Sequence, residues 1–266
     1  MFYLGIDIGS LSCDAVLLDK NNQIMAQAVV PTGARNREAI GIVKKAVTLK
    51  AGISEDQISA TVSTGYGRDR VDERIAAVTE ISCHARGIRT ALNGTAQILI
   101  DIGGQDSKAI KLDSEGRVAD FAMNDKCAAG TGRFLEAMAR ALQVNITELS
   151  DLDLGAQENL TLSSMCTVFA ESEVVSLIAH GKEVMEIVAG MNRAIASRIS
   201  ALTKRVSRDT TGLSIAMSGG VAHNQGVVRA LHVAFGQDIT VPDHPDTIGA
   251  LGAARMAREK SLSKKA

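Results

Sequence analysis

Asp7 and Asp101 are carboxylates that each close a short apolar run two residues ahead of a glycine, in Ile6-Asp7-Ile8-Gly9-Ser10 and Ile100-Asp101-Ile102-Gly103-Gly104. A carboxylate at a strand end beside a tight glycine turn can hold a hydrated Mg²⁺, while the backbone N–H groups of the turn face phosphate oxygens. Two stretches qualify: Gly9, Ser10, Leu11 and Ser12 with Cys13 and Asp14 behind them, and Gly103, Gly104 and Gln105. Facing each other, they would clamp a polyphosphate. A third glycine turn comes late, in Ser218-Gly219-Gly220-Val221-Ala222 with Asn224 just beyond. Glycine there lets backbone approach a flat ligand closely, which suits an adenine or a ribose. The patterns GxxxxGK[ST] and GxGxxG are both absent, so the folds built on them lose support.

Two of the four cysteines sit where a thiolate would be useful. Cys127 lies in Asn124-Asp125-Lys126-Cys127-Ala128-Ala129-Gly130-Thr131-Gly132, a small-residue loop expected to open into a helix from about Arg133. Cys166 follows Ser163-Ser164-Met165 and opens a helical stretch with Phe169, Ala170, Glu171 and Val174. A helix N-terminus stabilises a thiolate or an anionic cluster through its dipole and free N–H groups. Cys13 and Cys83 read instead as small buried hydrophobes. Two thiolates cannot complete a cubane that needs four, but a two-fold dimer can. If Cys127 and Cys166 from each subunit met on the axis, one 4Fe-4S cluster would be shared by a homodimer.

The elements that must position these groups emerge when the sequence is laid over itself with an offset of 94 residues. Ile6, Asp7, Ile8, Gly9, Ala15, Leu18 and Asp19 then fall, without a gap, on Ile100, Asp101, Ile102, Gly103, Ala109, Leu112 and Asp113. Chance would give about one identity over so short a stretch. Each copy begins as a strand-turn-strand meander. Apolar residues at intervals of three and four predict helices over Arg37 to Ala51, Arg74 to Leu92, Gly132 to Leu142 and Phe169 to Val206. Leu213 to Met217 reads as a strand, with a helix from near Asn224. Strands and helices alternate, so two related α/β domains with a cleft between the glycine turns are expected, residues 1–92 with 245–266 and residues 93–244. One doubly wound sheet with similar strands is the plainer alternative.

Composition removes other classes. With 45% apolar residues the 266-residue chain can bury a substantial core. A net charge of -1 gives no field for nucleic acid or an anionic membrane. The start lacks a basic n-region, and no window approaches the roughly 20 apolar residues that span a bilayer, so a soluble, cytoplasmic chain is expected. The histidines at 84, 180, 223, 232 and 244 have no close ligand spacing. Thr64-Gly65-Tyr66-Gly67-Arg68 reads as a hinge, a docking loop or a plain turn.

The three glycine turns resemble those of the actin-like superfamily, which joins acetate kinase, sugar kinases, heat-shock chaperones and actin. The resemblance implies two duplicated ribonuclease H-like domains around a nucleotide cleft, with turns named phosphate 1, phosphate 2 and adenosine. Related chains often carry Lys where this one has Asp14. The motifs GIDIGS, STGYGR, EISCHARG, DIGGQDSK, NDKCAAGTGRFLE, CTVFAESEVVS, SGGVAHNQGV and GALGAA together resemble the activator component of 2-hydroxyacyl-CoA dehydratases. More broadly they resemble the ATPase family that includes subunits of benzoyl-CoA reductase.

That resemblance implies an oxygen-sensitive homodimer holding one shared 4Fe-4S cluster on Cys127 and Cys166. It would be reduced by ferredoxin or flavodoxin and would hydrolyse ATP to ADP while sending one electron to a dehydratase, which forms a ketyl radical and eliminates water. Asp7 and Asp101 would hold Mg²⁺ through water, and Gln105 would orient the attacking water, by analogy with GTPase glutamines. Gly219, Gly220, Val221 and Asn224 would line the nucleoside. Closure of the domains around ATP would move the cysteine-led helices. Three rivals remain: a benzoyl-CoA-reductase-type subunit, a small-molecule kinase of the same fold, and a non-enzymatic actin-like assembly module.

Overall fold

The computed structural model describes residues 1–162 and 166–263; Ser163-Ser164-Met165, ahead of Cys166, and residues 264–266 lie outside the described residues. The opening apolar run forms β1 (Phe2–Ile8), which folds back antiparallel as β2 (Ser12–Asp19) and continues into β3 (Ile24–Pro31). α1 (Asn36–Ala51) returns the chain to β4 (Ile58–Gly65), parallel to β1. β5 (Ala76–Ala77) adds to β4, and α2 (Glu80–Ala91) follows, so the first sheet reads β3-β2-β1-β4-β5.

The plan then repeats. β6 (Ile98–Ile102), β7 (Ser107–Leu112) and β8 (Val118–Asn124) form the second meander. Three helices follow, α3 (Gly132–Leu142), α4 (Thr167–Ala179) and α5 (Val184–Thr203). β9 (Ile215–Ser218) lies parallel to β6 as β4 lies parallel to β1, and α6 (Gln225–Phe235) and β10 (Ile239–Thr240) complete a sheet ordered β10-β9-β6-β7-β8. The C-terminal α7 (Ile248–Ser263) returns to the first sheet. By contacts the chain divides into two compact units, Met1–Gln97 with Leu112–Ala119 and Pro242–Ala266, and Ile98–Lys111 with Asp120–Val241.

The side-chain period of two explains where Asp7 goes. Leu4, Ile6 and Ile8 pack with Ala39, Ile40, Val43 and Val47 of α1. Tyr3, Gly5 and Asp7 occupy the opposite face, where Tyr3 packs with α7 residues Ala250, Leu251, Ala253 and Ala254. Helices on both faces make β1 almost wholly buried, as sheet strands covered on both sides must be. The approach of α7 is so close that a Cβ on Gly5 would collide with the Ala250 carbonyl.

Two expected helices are corrected. The stretch from Arg74 is not helical before Glu80: Ile75 N–H and Val78 N–H donate to the Thr61 and Ser63 carbonyls at 2.8 and 2.9 Å, tying it to β4, and Thr79 then caps α2. Phe169 to Val206 is two helices, because Gly181 takes a left-handed conformation with φ of 76° between α4 and α5. The late strand begins at Ile215 and not at Leu213. No helix among the described residues is long and apolar enough to cross a membrane.

Candidate functional site

In the first unit the β1–β2 turn is closed by Gly9 N–H donating to the Ser12 carbonyl at 2.9 Å, and Thr32 Oγ1 donates to the Gly9 carbonyl at 2.9 Å. Ser10, Leu11 and Ser12 stay half-buried. Asp7 lies one residue before the strand end and is nearly enclosed. Its Oδ1 would be 2.6 Å from a Cβ on Gly65, and its Oδ2 occupies the space a Cβ on Gly249 would need. Asp7 therefore sits between the end of β4 and the first turn of α7, where a helix N-terminus favours an anion. Asp14 stands directly across from it in the β1–β2 register. Ser12 Oγ donates to Asp14 Oδ2 at 3.0 Å, while Asp14 Oδ1 is buried without a hydrogen-bond partner. Burial first, and then the charge of Asp7, push the Asp14 carboxyl well above the usual carboxylate range. Cys13 lies within β2 and is packed in the apolar core with Leu4 and Ile6.

The second unit reproduces this geometry with different chemistry. Gly103 N–H donates to the Asp106 carbonyl at 3.0 Å, the counterpart of the Gly9–Ser12 bond. Asp101 is gripped on both oxygens: Ser218 Oγ donates to Oδ1 at 2.8 Å and Lys108 Nζ to Oδ2 at 3.1 Å. Lys108 Nζ also donates to Asp106 Oδ1 at 2.9 Å. Gln105 is exposed at the tip of the turn. Sequence reasoning assigns no role to Lys108, Asp106 or Ser218, although a signal for one is present, since the 94-residue offset carries Asp14 onto Lys108.

Beyond Ser218 the chain takes φ of 86° at Gly219, a conformation open to glycine, and a Cβ there would stand 3.1 Å from Asp101 Oδ1. Gly220 is exposed, whereas Val221 is packed in the apolar core. Asn224 caps α6, its Oδ1 accepting from Val227 N–H at 3.1 Å, and is itself buried. Thr64-Gly65 is the first unit's equivalent of this turn: Thr64 is in register with Asp7 as Ser218 is with Asp101.

The cysteines divide as their settings suggest. Cys13 and Cys83 are buried, and Cys127 and Cys166 are exposed. Burial pushes the Cys13 thiol far up and that of Cys83 up to about 12. Cys166 is the N-cap residue of α4. Cys127 is not at a helix start: it lies in the loop ahead of α3, whose N-cap is Thr131, and Asn124 Nδ2 donates to its carbonyl at 2.9 Å. That loop is stitched to the glycine turn. Gly132 N–H donates to the Gly103 carbonyl at 2.9 Å, Arg133 N–H to the Gly104 carbonyl at 2.9 Å, and Thr131 Oγ1 to the Gly104 carbonyl at 3.0 Å. On α4, Val168, Phe169, Val175 and Ile178 are exposed. Among the described residues no three His, Cys, Asp or Glu side chains gather to hold a metal ion.

The family model for the BadF/BadG/BcrA/BcrD ATPase family matches residues 4–257. The activator of lactoyl-CoA dehydratase from Anaerotignum propionicum is 45% identical over 264 residues, covering 99% of this chain and 100% of the relative. The structure of the activator of the 2-hydroxyisocaproyl-CoA dehydratase from Clostridium difficile with bound ADPNP superposes with a TM-score of 0.91 at 40% identity, covering 100% of this chain and 97% of the other. Component A of the Acidaminococcus fermentans (R)-2-hydroxyglutaryl-CoA dehydratase gives a TM-score of 0.93 at 37% identity, covering 98% and 99%.

Proposed function

This chain belongs to the BadF/BadG/BcrA/BcrD ATPase family, and from that premise we propose that it is an ATP-hydrolysing activator that delivers single low-potential electrons to a 2-hydroxyacyl-CoA dehydratase. Its fold is actin-like, with the ATPase turns built on two related α/β units. The observation that carries the reading is the splice between chemistry and cysteine: Gly103 and Gly104 accept hydrogen bonds from Thr131, Gly132 and Arg133, at the end of the loop that presents Cys127.

The donor sets fit the groups that the reading requires. Asp7 and Asp101 are fixed carboxylates beside N–H-rich turns, suited to hold Mg²⁺ through its water shell. Gln105, exposed on the second turn, orients the attacking water. Gly219 and Gly220 pass the nucleoside, and Asn224 holds that turn by capping α6. A phosphate that draws on the N–H groups of the second turn pulls on the carbonyls that anchor α3, and so on the Cys127 loop.

Cys127 and Cys166 are the exposed thiols, two per chain. A 4Fe-4S cluster held by these cysteines of two identical chains would supply the one-electron store. The apolar outer face of α4, beside Cys166, supports a homodimer, since such a surface is usually covered. Reduced ferredoxin or flavodoxin would be the donor, in the cytoplasm.

The test is anaerobic purification followed by assays of Mg-ATP hydrolysis, iron, acid-labile sulfide, native mass and ATP-dependent activation of a dehydratase. The expected result is about four irons per dimer with activation that requires ATP, since a cubane takes four thiolate ligands. ATP turnover by an iron-free monomer would overturn it.

A further inference from the structure

Lys108 is an ammonium with 3% of its side chain exposed, between carboxylates exposed by 3% and 6%. Nothing in strand chemistry requires a lysine there. Its ammonium reaches a carboxylate oxygen on each side, Asp101 Oδ2 at 3.1 Å and Asp106 Oδ1 at 2.9 Å, and so bridges two buried carboxyl groups. It is also directional. Its contact is with Asp101 Oδ2, while Ser218 takes Oδ1, so the carboxylate is held on both sides by β7 and β9. Where Lys108 stands across from Asp101, the first unit has Asp14 across from Asp7. The duplicated turns therefore carry a carboxyl group in one unit and an ammonium in the other at the equivalent place.

We propose that Lys108 is the resident cation of the second glycine turn, a positioning residue that aims Asp101 and bars a free divalent cation from it, so that metal reaches Asp101 only together with a nucleotide. The proposal rests on the Mg-nucleotide reading above. An ammonium 3.1 Å from Oδ2 occupies one lone-pair direction and repels a second cation. A nucleotide phosphate changes this balance, because its negative charge offsets that of Lys108 and lets the metal approach.

The test is Mn²⁺ binding to the nucleotide-free holoprotein, read from the room-temperature signal of free Mn²⁺ in electron paramagnetic resonance. Lys108→Met should gain one Mn²⁺ per chain, or tighten an existing site by on the order of tenfold, the scale of one removed charge at short range. The added binding should vanish in Lys108→Met/Asp101→Asn. Should Lys108→Met fail to fold, Lys108→Met/Asp106→Asn removes one charge of each sign, retains Asp101 and should show the same gain. Isotherms of these variants that superimpose on that of the unmutated protein, with intact circular dichroism, overturn the proposal. In that case Mg-ATP hydrolysis by the unmutated protein would show that the nucleotide reading survives. Absence of nucleotide binding would instead sink that reading, while the Mn²⁺ comparison would still decide the role of Lys108.

Discussion

Asp7 and Asp14 are register partners across the β1–β2 pairing, both nearly solvent-free, on one face of the first sheet. Opposed residues in an antiparallel pair place their Cβ atoms about 4.5–5.5 Å apart, which brings two carboxyl groups within strong repulsion. Burial, and then Asp7, raise the Asp14 carboxyl, against the smaller opposing effect of the Ser12 hydroxyl. The folded state thus holds a proton that the unfolded chain releases above about pH 4. Stability contributed by that proton is complete below the unfolded value and is lost as pH rises toward the raised folded one. Asp14→Asn should therefore gain in stability on the unmutated protein as pH rises above the unfolded carboxylate value, because the amide has no proton to lose. Denaturant melts across that pH range check this. An advantage that does not grow with pH would show that Asp14 is ionised in the folded protein.

The thiols should differ in reactivity. With its pKa near 12, Cys83 should carry a thiolate fraction of about one in ten thousand at pH 8, and its alkylation should rise about tenfold per pH unit. Cys13 should be slower still. In iron-free folded protein, mass spectrometry after brief iodoacetamide treatment should find Cys127 and Cys166 labelled. Correspondingly, Cys127→Ser and Cys166→Ser should each abolish the cluster, and Cys13→Ser and Cys83→Ser should retain it. Full iron occupancy in Cys166→Ser would rule out the shared-ligand arrangement.

Gly249 has no room for a methyl group, because Asp7 Oδ2 takes its place and His84 Cε1 lies 2.8 Å away. Gly249→Ala should therefore push the Asp7 carboxylate aside, costing about 1–3 kcal/mol of stability as an overpacked contact. It should also raise the Mg²⁺ concentration needed for half-maximal ATP hydrolysis. Unaltered Mg²⁺ dependence in a destabilised Gly249→Ala would mean that Asp7 does not meet the metal.

The splice between Gly103–Gly104 and the Cys127 loop predicts that nucleotide and iron sense each other, by a coupling free energy that must be reciprocal. Iron release to a chelator, followed anaerobically, should change in rate on adding saturating Mg-ATP. Asp101→Asn should leave the resting iron content intact and remove the response. Equal release rates with and without nucleotide in the unmutated protein would end the coupling argument.

Much of the fold and of the glycine turns is legible in the residues alone. The 94-residue offset marks the duplication, and it holds in space because the Gly9–Ser12 and Gly103–Asp106 hydrogen bonds close equivalent turns. Gly219 takes φ of 86°, and a Cβ there would meet the Ile102 carbonyl, so the packing of β6 already demands glycine at that place. Spacing alone misjudges two helices, since apolar periodicity continues through Ile75, Ala76 and Val78, whose backbone goes to β4 instead. It also runs α4 and α5 together across Gly181.

Local chemistry, then, determined the glycine turns and their order, because turn formation depends on a few neighbouring residues. Tertiary structure alone decided what surrounds each carboxylate. Asp7 is confined by Gly65 and Gly249, and Asp101 by Lys108 and Ser218, partners up to 242 and 117 positions away in the chain. Whether a buried carboxylate meets a hydroxyl, an ammonium or another carboxylate is set by which strands and helices pack against it, and that juxtaposition exists only after the sheets have formed.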